Sequence, residues 1–407
     1  MFYTSIKIFI MKKINLIKSP FIFSMFLLLN LNMLSCKQVN EDPGALSEKQ
    51  ETEKIEVSGV TNEKSGYDLE VFAEGLYVPW SIVFTSPDRM LVNERNGKIR
   101  IIENGVLKTE PLKEFKDVSS GGEEGLMGLA LDPDYINNKL IYVSYAFDNG
   151  DELAVKVVRY KDNGDNLSDE KIILNNIPAE RYHAGCRLRF GPDGKLYITT
   201  GDAGERGLVQ EKKNLYGKLL RVNSDGTIPE DNPFPGNPVW SIGHRNSQGI
   251  DWYPGTEILY STEHGPSGFD GPGGGDEVNV IVKGGNYGWP EVSHEQSIEG
   301  MISPALVFTP AVAPASGMFY SSDSIPEFKN NFFFGCLRGN AIYRVIPDEN
   351  DPSKVKSFEK LEGIEFGRIR DVAQGPDGAI YFSTSNKDGR GSVRKGDDKI
   401  YRIVKKK

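Results

Sequence analysis

Histidine and cysteine are scarce in this chain: its 407 residues include four histidines and three cysteines. Only Cys186 and Cys336 lie downstream of the amino-terminal segment. They are either one bridge or two separate buried thiols, because bridging needs Cα atoms within reach and spacing alone does not show that. Basic charge is lacking too. A formal net charge of -9 gives no global positive field for nucleic acid, so an anionic ligand must be met by a local cluster. No Walker loop, no complete G-x-G-x-x-G on a strand-to-helix turn and no G-x-S-x-G elbow occurs, which sets aside nucleotide and serine-hydrolase chemistry.

What is present begins with a leader. Lys7, Lys12, Lys13 and Lys18 precede the apolar run Phe21-Ile-Phe-Ser-Met-Phe-Leu-Leu-Leu29, which ends at Met33-Leu-Ser-Cys36. A basic region, an apolar region short of a comfortable span and a small residue before a cleavage point read as a signal peptide. Cys36 after Leu34-Ser35 resembles a bacterial lipoprotein box, which would make it the lipidated first residue of an exported, membrane-tethered envelope protein. The alternative is an ordinary signal peptide with an incidental cysteine. Residues 37–66 contain no aromatic residue and are dense in Glu, Lys, Asn and Ser, so they read as a flexible tether.

From residue 67 a unit recurs: an alternating apolar strand, a turn of Pro-Asp-Gly type, then a strand rich in Tyr, Ile and Val. Ser81–Asp88, Gly128–Asp134, Leu188–Gly194, Gly249–Gly255, Gly317–Asp323 and Val372–Gly378 each start one such hairpin. Six hairpins of one design predict an all-β, six-bladed β-propeller with four-stranded antiparallel blades over 67–407, with a β-sandwich as the competitor. Tyr67–Phe72 has no turn partner and can pair with Lys399–Val404, closing the ring.

The chemistry-bearing residues fall in glycine-bounded segments, where backbone can approach a ligand closely. His183 precedes the strand Cys186–Phe190, and a neutral imidazole there can take a hydroxyl proton if a carboxylate fixes its other nitrogen. Asp202, after the next strand, is the candidate carboxylate. Gly243-His-Arg-Asn246 offers a guanidinium and an amide, and Arg338, Arg368 and Arg370 add cations that would together meet a compact polyanion. Glu263-His-Gly-Pro266, followed by Asp276, Glu277 and Asn279, supplies oxygen donors that suit Ca²⁺ rather than zinc or copper.

Several of these segments, in one order, carry a resemblance. Gly122-Glu-Glu-Gly-Leu-Met-Gly128, His183-Ala-Gly-Cys-Arg-Leu188, Gly201-Asp202, Gly217-Lys-Leu-Leu-Arg221, Ile228-Pro-Glu-Asp-Asn-Pro-Phe234, Gly243-His-Arg-Asn246, Glu263-His-Gly-Pro266, Asp276-Glu-Val-Asn279, Asn286-Tyr-Gly-Trp-Pro290 and Arg368-Ile-Arg-Asp371 resemble the soluble PQQ-dependent aldose sugar dehydrogenases of the glucose/sorbosone dehydrogenase family. The resemblance implies a six-bladed propeller with pyrroloquinoline quinone (PQQ) over the channel mouth and Ca²⁺ beside it, oxidising aldoses at C1 to lactones. His183 would be the base, Asp202 its orienting partner, and Arg245 a stabiliser of charge on the quinone. Glu123, His244, Arg245, Asn246, Tyr287, Arg338, Arg368 and Arg370 would line the cofactor. The carbonyls of Gly265 and Pro266 would hold the catalytic Ca²⁺, and Glu263 and Asn279 a nearby structural one.

The chain departs from the family where Arg338 replaces a lysine, Glu123 a glutamine found in some members, and Thr309 an aromatic ahead of Pro310-Ala-Val-Ala-Pro314. The resemblance also implies an unspecified electron acceptor, quinone or cytochrome. Two other readings stay open: a Ca²⁺-dependent propeller lactonase, and a propeller that only binds a glycan or partner.

Overall fold

A computed structural model describes residues 66–150 and 152–406; the leader, Cys36 and residues 37–65 of the expected tether lie outside the described residues. Alternating apolar residues at the six hairpins form six antiparallel sheets, each burying side chains on both faces against its neighbours. The inner strands are Pro79–Ser86, Leu126–Leu131, Leu188–Phe190, Ser247–Trp252, Pro314–Phe319 and Ile369–Gln374, and each is followed by its hairpin partner: Arg89–Glu94, Leu140–Asp148, Leu196–Thr199, Leu259–Glu263, Phe332–Cys336 and Ile380–Thr384. Five sheets have four strands, and the first splits its outer edge between Val106–Leu107 and Lys113–Glu114, both paired with Lys98–Glu103. The arrangement is the six-bladed β-propeller read from the sequence.

Closure follows the expected route. Tyr67–Ala73 pairs antiparallel with Ile400–Lys405, from Tyr67 opposite Lys405 to Ala73 opposite Ile400, so the last blade takes its outer strand from the start of the domain and no open edge joins the two ends. Two of the hairpins differ from a plain Pro-Asp-Gly turn. A helical turn, Tyr135–Asn138, and a 3-10 turn, Pro326–Phe328, fill those connections.

Blades are stitched by polar side chains on their second strands. Asn93 donates to the carbonyls of Met127 and Gly128 at 3.1 Å, Ser144 to Cys186 at 2.7 Å, Thr262 to Ala315 and Ser383 to Pro79. Each satisfies a carbonyl of the next blade's inner segment, which faces the axis and has no strand on that side. Inner strands also approach closely: a Cβ at Gly249 would lie 2.3 Å from the Gly317 nitrogen, a contact no side chain tolerates. Cys186 and Cys336 are both free thiols and both buried.

Across the axis lies Arg187. Its Nε donates to the Gln248 carbonyl at 3.0 Å, its Nη1 to Ser81 Oγ at 2.7 Å and to Asp371 at 3.2 Å, and its guanidinium covers the Trp80 ring at 4.1 Å. Those partners belong to three other blades. The arginine thus ties four blades together between one cavity of about 600 Å³ and another of about 350 Å³ at the opposite mouth.

Candidate active site

In every blade the inner strand begins, and its hairpin partner ends, at the same end of the ring. Segments leading in and leading out therefore converge over one channel mouth, where the larger cavity lies. Leading in are residues 121–123, 183–185, Arg245, Ala311, Ala313, Arg368 and Arg370; leading out are Arg95, residues 264–267, Leu337, Arg338 and residues 388–390.

His183 is 5% exposed and sits on this wall at φ 55°, a backbone conformation uncommon outside glycine. The loop holds it there because Gly201 lets it approach: a Cβ at 201 would lie 1.7 Å from the His183 carbonyl oxygen. Its Nδ1 is 2.7 Å from Asp202 Oδ1. Asp202 also accepts from the Gly204 amide and, through Oδ2, from the Trp289 indole, each at 2.9 Å. Burial pushes the Asp202 carboxyl up, but these donors outweigh it and hold the group below the ordinary carboxylate range. Asp202 therefore stays ionised, keeps the proton on His183 Nδ1, and leaves Nε2, which has no protein partner among the described residues, as the lone-pair nitrogen.

The rest of the wall is cationic. Six arginines, at 95, 245, 338, 368, 370 and 390, face three carboxylates, Glu123, Asp276 and Asp388. Arg368 places Nε 2.6 Å from Asp388, while Arg370 is 3.8 Å from the same carboxylate and its buried Nε has no partner. Burial, with Arg368 and Arg95 alongside, pulls the Arg370 guanidinium down to about 9. A cation held this far against its preference is relieved by an anion. Glu123 caps the His183 amide at 3.2 Å and pairs with Arg390 at 2.6 Å; burial raises its carboxyl, but nearby cations win and hold it at about 2.

Several sequence-expected residues do not line the cavity. His244 is buried with both ring nitrogens spent, Nδ1 on Glu263 Oε2 and Nε2 on Ser241 Oγ, each at 2.8 Å, and its face is stacked on Tyr287 at 4.8 Å. His244, Glu263, Ser241 and Tyr287 brace the blade beneath the cavity. Glu263 is saturated by His244, the Arg245 amide and Ser247, leaving it few lone pairs for a cation. Asn246 is fully buried, its Oδ1 taken by the Gly185 amide and Gln248. Asn279 lies on a buried strand with its Oδ1 unpartnered, beside Glu277, whose carboxyl burial and Glu263 raise to about 8.

Conversely, Arg95 and Asp388 were not singled out from the sequence, and His264 and Trp289, though inside quoted motifs, were given no role. Burial drives the His264 imidazole down to about 4, so it is neutral at pH 7. Arg95, His264 and Asp388 follow the second strand of a blade as Asp202 and Arg338 do, and aligning the repeat units by that position finds them.

The oxygen donors also bear on a metal. Gly265 and Pro266 line the wall, and the Pro266 carbonyl accepts from the Gly274 amide at 3.2 Å. Hard, neutral oxygens next to an anion-seeking arginine set suit Ca²⁺ shared with an anionic ligand. Among the described residues no group of three or more His, Cys, Asp or Glu side chains forms a metal cluster.

Known proteins share this architecture. Aldose sugar dehydrogenase YliI of Escherichia coli is 33% identical over 347 residues, spanning 79% of this chain and 91% of that one. The PQQ-bound aldose sugar dehydrogenase of Streptomyces coelicolor superposes with a TM-score of 0.72 at 31% identity, over 86% of this chain and 99% of the other. The apo form of the soluble aldose sugar dehydrogenase of Escherichia coli gives 0.74 at 28% identity, over 84% and 100%. The model of the Glucose / Sorbosone dehydrogenase family matches residues 76–401, and the chain belongs to that family.

Proposed function

We propose that the protein is a PQQ-dependent aldose dehydrogenase that oxidises the C1 hydroxyl of a sugar to the lactone. The observation that carries this reading is a free imidazole nitrogen, oriented by a buried carboxylate, on the wall of a cavity where arginines outnumber carboxylates two to one. The PQQ-bound Streptomyces relative supports the cofactor. Arg338, Arg368 and Arg370 would hold its carboxylates, and the Gly265 and Pro266 carbonyls a Ca²⁺ ion. When bound, the pair supplies a two-electron acceptor polarised by a hard cation.

The chain's residues do the rest. His183 Nε2 takes the C1 hydroxyl proton while the C1 hydrogen leaves with its electron pair, so the C1–O bond becomes the lactone carbonyl. Asp202 stabilises the imidazolium that forms. Arg245 is fixed by Asp270 and the His264 carbonyl, which keeps its charge at the wall without reorganisation. A lactonase would have no use for three arginines converging on one anion.

The test is purified protein assayed for aldose-dependent dye reduction with PQQ and Ca²⁺ added together. Activity, with a PQQ-dependent rise in melting temperature at saturating Ca²⁺, is expected from mass action; absence of both rejects the reading. Export and lipidation at Cys36 belong to the same proposal. Cys36→Ser should release the protein from membranes, and unchanged membrane association would overturn the anchor.

A further inference from the structure

At the rim of the cavity two aromatic side chains are left in solvent: Tyr182 is 38% exposed and Phe269 70%. Their rings meet at 6.1 Å and 77°, forming a corner. Phe269 lies nearly parallel to the His183 imidazole, 6.4 Å away at 19°, and Tyr182 stands edge-on to it at 5.0 Å. Nothing in the reaction described above uses either ring.

Both are held in place. Phe269 belongs to Ser267-Gly-Phe-Asp-Gly-Pro-Gly-Gly-Gly275, a composition that by itself specifies no conformation. Yet the residues around it are tied down. Asp270 accepts from Arg245 Nε at 2.8 Å and from the Ser267 amide at 2.9 Å, its carbonyl accepts from Arg206 at 2.8 Å, and Ser267 Oγ accepts from Arg245 Nη2 at 3.1 Å. Tyr182 rests on the turn that carries Asp202, where a Cβ on Gly204 would come 2.8 Å from its hydroxyl. The aromatic corner is thus fixed to Arg245 on one side and to the His183–Asp202 pair on the other.

Resting on the dehydrogenase reading, we propose that Tyr182 and Phe269 form the wall against which the aldose ring stacks, presenting its C1 hydroxyl to His183 Nε2. One face of a pyranose is a patch of C–H bonds, which packs on the electron-rich face of an aromatic ring, while its hydroxyls project sideways to polar groups. A corner of two rings grips both a face and an edge. That fits a sugar ring better than a flat hydrophobic patch would, and it makes both residues positioning groups for the substrate.

The test uses Phe269→Ala, Tyr182→Ala and Phe269→Trp in protein loaded with PQQ and Ca²⁺, with D-glucose as substrate and a small dye as acceptor. Each alanine variant should raise the KM for glucose about tenfold, in the range for losing an apolar contact in a pocket, with kcat within about threefold and the PQQ-dependent melting shift unchanged; Phe269→Trp should stay near the parent. A second readout is saturation-transfer NMR of D-glucose on protein without PQQ, where signal to the sugar ring protons should fall in both alanine variants. Unaltered KM and unaltered NMR transfer overturn the wall. A rise in the KM of the acceptor alone also overturns it and assigns the rings to acceptor docking. If the parent oxidises no aldose, the dehydrogenase reading falls; if it does and the variants match it, only the wall falls.

Discussion

Two histidines of this molecule make the same bond and do different work. His183 and His244 each lead into the inner strand of a blade, in adjacent blades, and each places Nδ1 on a carboxylate 19 residues further on, Asp202 at 2.7 Å and Glu263 at 2.8 Å. What separates them is the other ring nitrogen. That of His244 is on Ser241 and its ring lies under Tyr287, so the imidazole is a strut. That of His183 meets the cavity. A histidine–carboxylate pair thus recurs in two adjacent blades, and under the proposed reading chemistry arises where the second nitrogen is left without an intramolecular partner.

The sharpest way to break this contrast is to remove one ring at a time. His183→Gln should lower turnover by about two to four orders of magnitude, the usual worth of a positioned base, at the stability cost of one buried hydrogen bond, that to Asp202. His244→Gln should cost more stability and little turnover. Upsetting two buried hydrogen bonds costs about 2–4 kcal/mol at typical desolvation penalties, read by chemical denaturation, with turnover per folded molecule within about threefold. A His244 variant that stays stable but loses turnover would show that the strut also works in catalysis.

Arg370 extends the contrast from histidines to arginines. Arg370→Ala should weaken PQQ binding by about 1.5–3 kcal/mol, the range for hydrogen bonds to charged groups, with little loss of stability without cofactor, because its Nε has no partner to lose. Calorimetric titration against denaturant melts decides; lost stability with unchanged PQQ affinity would make Arg370 a strut like His244.

The smallest effect concerns Glu123, which touches both the His183 amide and Arg390. Its folded-state carboxyl is held at about 2, below the ordinary value, so its contribution to stability is complete above about pH 4.5 and is lost as pH falls towards 2. The stability gap between the parent and Glu123→Gln should shrink over that window. A gap that does not change with pH would mean the carboxylate contributes nothing through its charge.

How far the sequence carries the structure depends on the range of the interaction. Hairpins such as Leu188–Gly194 were legible because alternation and turn chemistry act over a few residues, and ring closure by Tyr67–Phe72 because an unpaired strand must find an edge. His183 and Asp202 were legible for their residue types in glycine-bounded loops. His244 looked the same by that criterion, because the bond to Ser241 that retires it depends on the curl of one loop. Asp388 was invisible for a different reason: Asn386-Lys-Asp-Gly389 reads as a plain turn, and its role comes from Arg368 and Arg370, which the chain reaches only through three dimensions.

The Arg187 tie across the axis bears on the traffic of the site. With Arg187 and its partners lying between the two cavities, the larger one opens at its own mouth, and on the proposed reading sugar, lactone and electron acceptor would share that doorway. The two half-reactions would then queue at one threshold rather than proceed through separate doors. Such a layout would favour strict alternation, so that at high concentration sugar and acceptor each slow the other's turn.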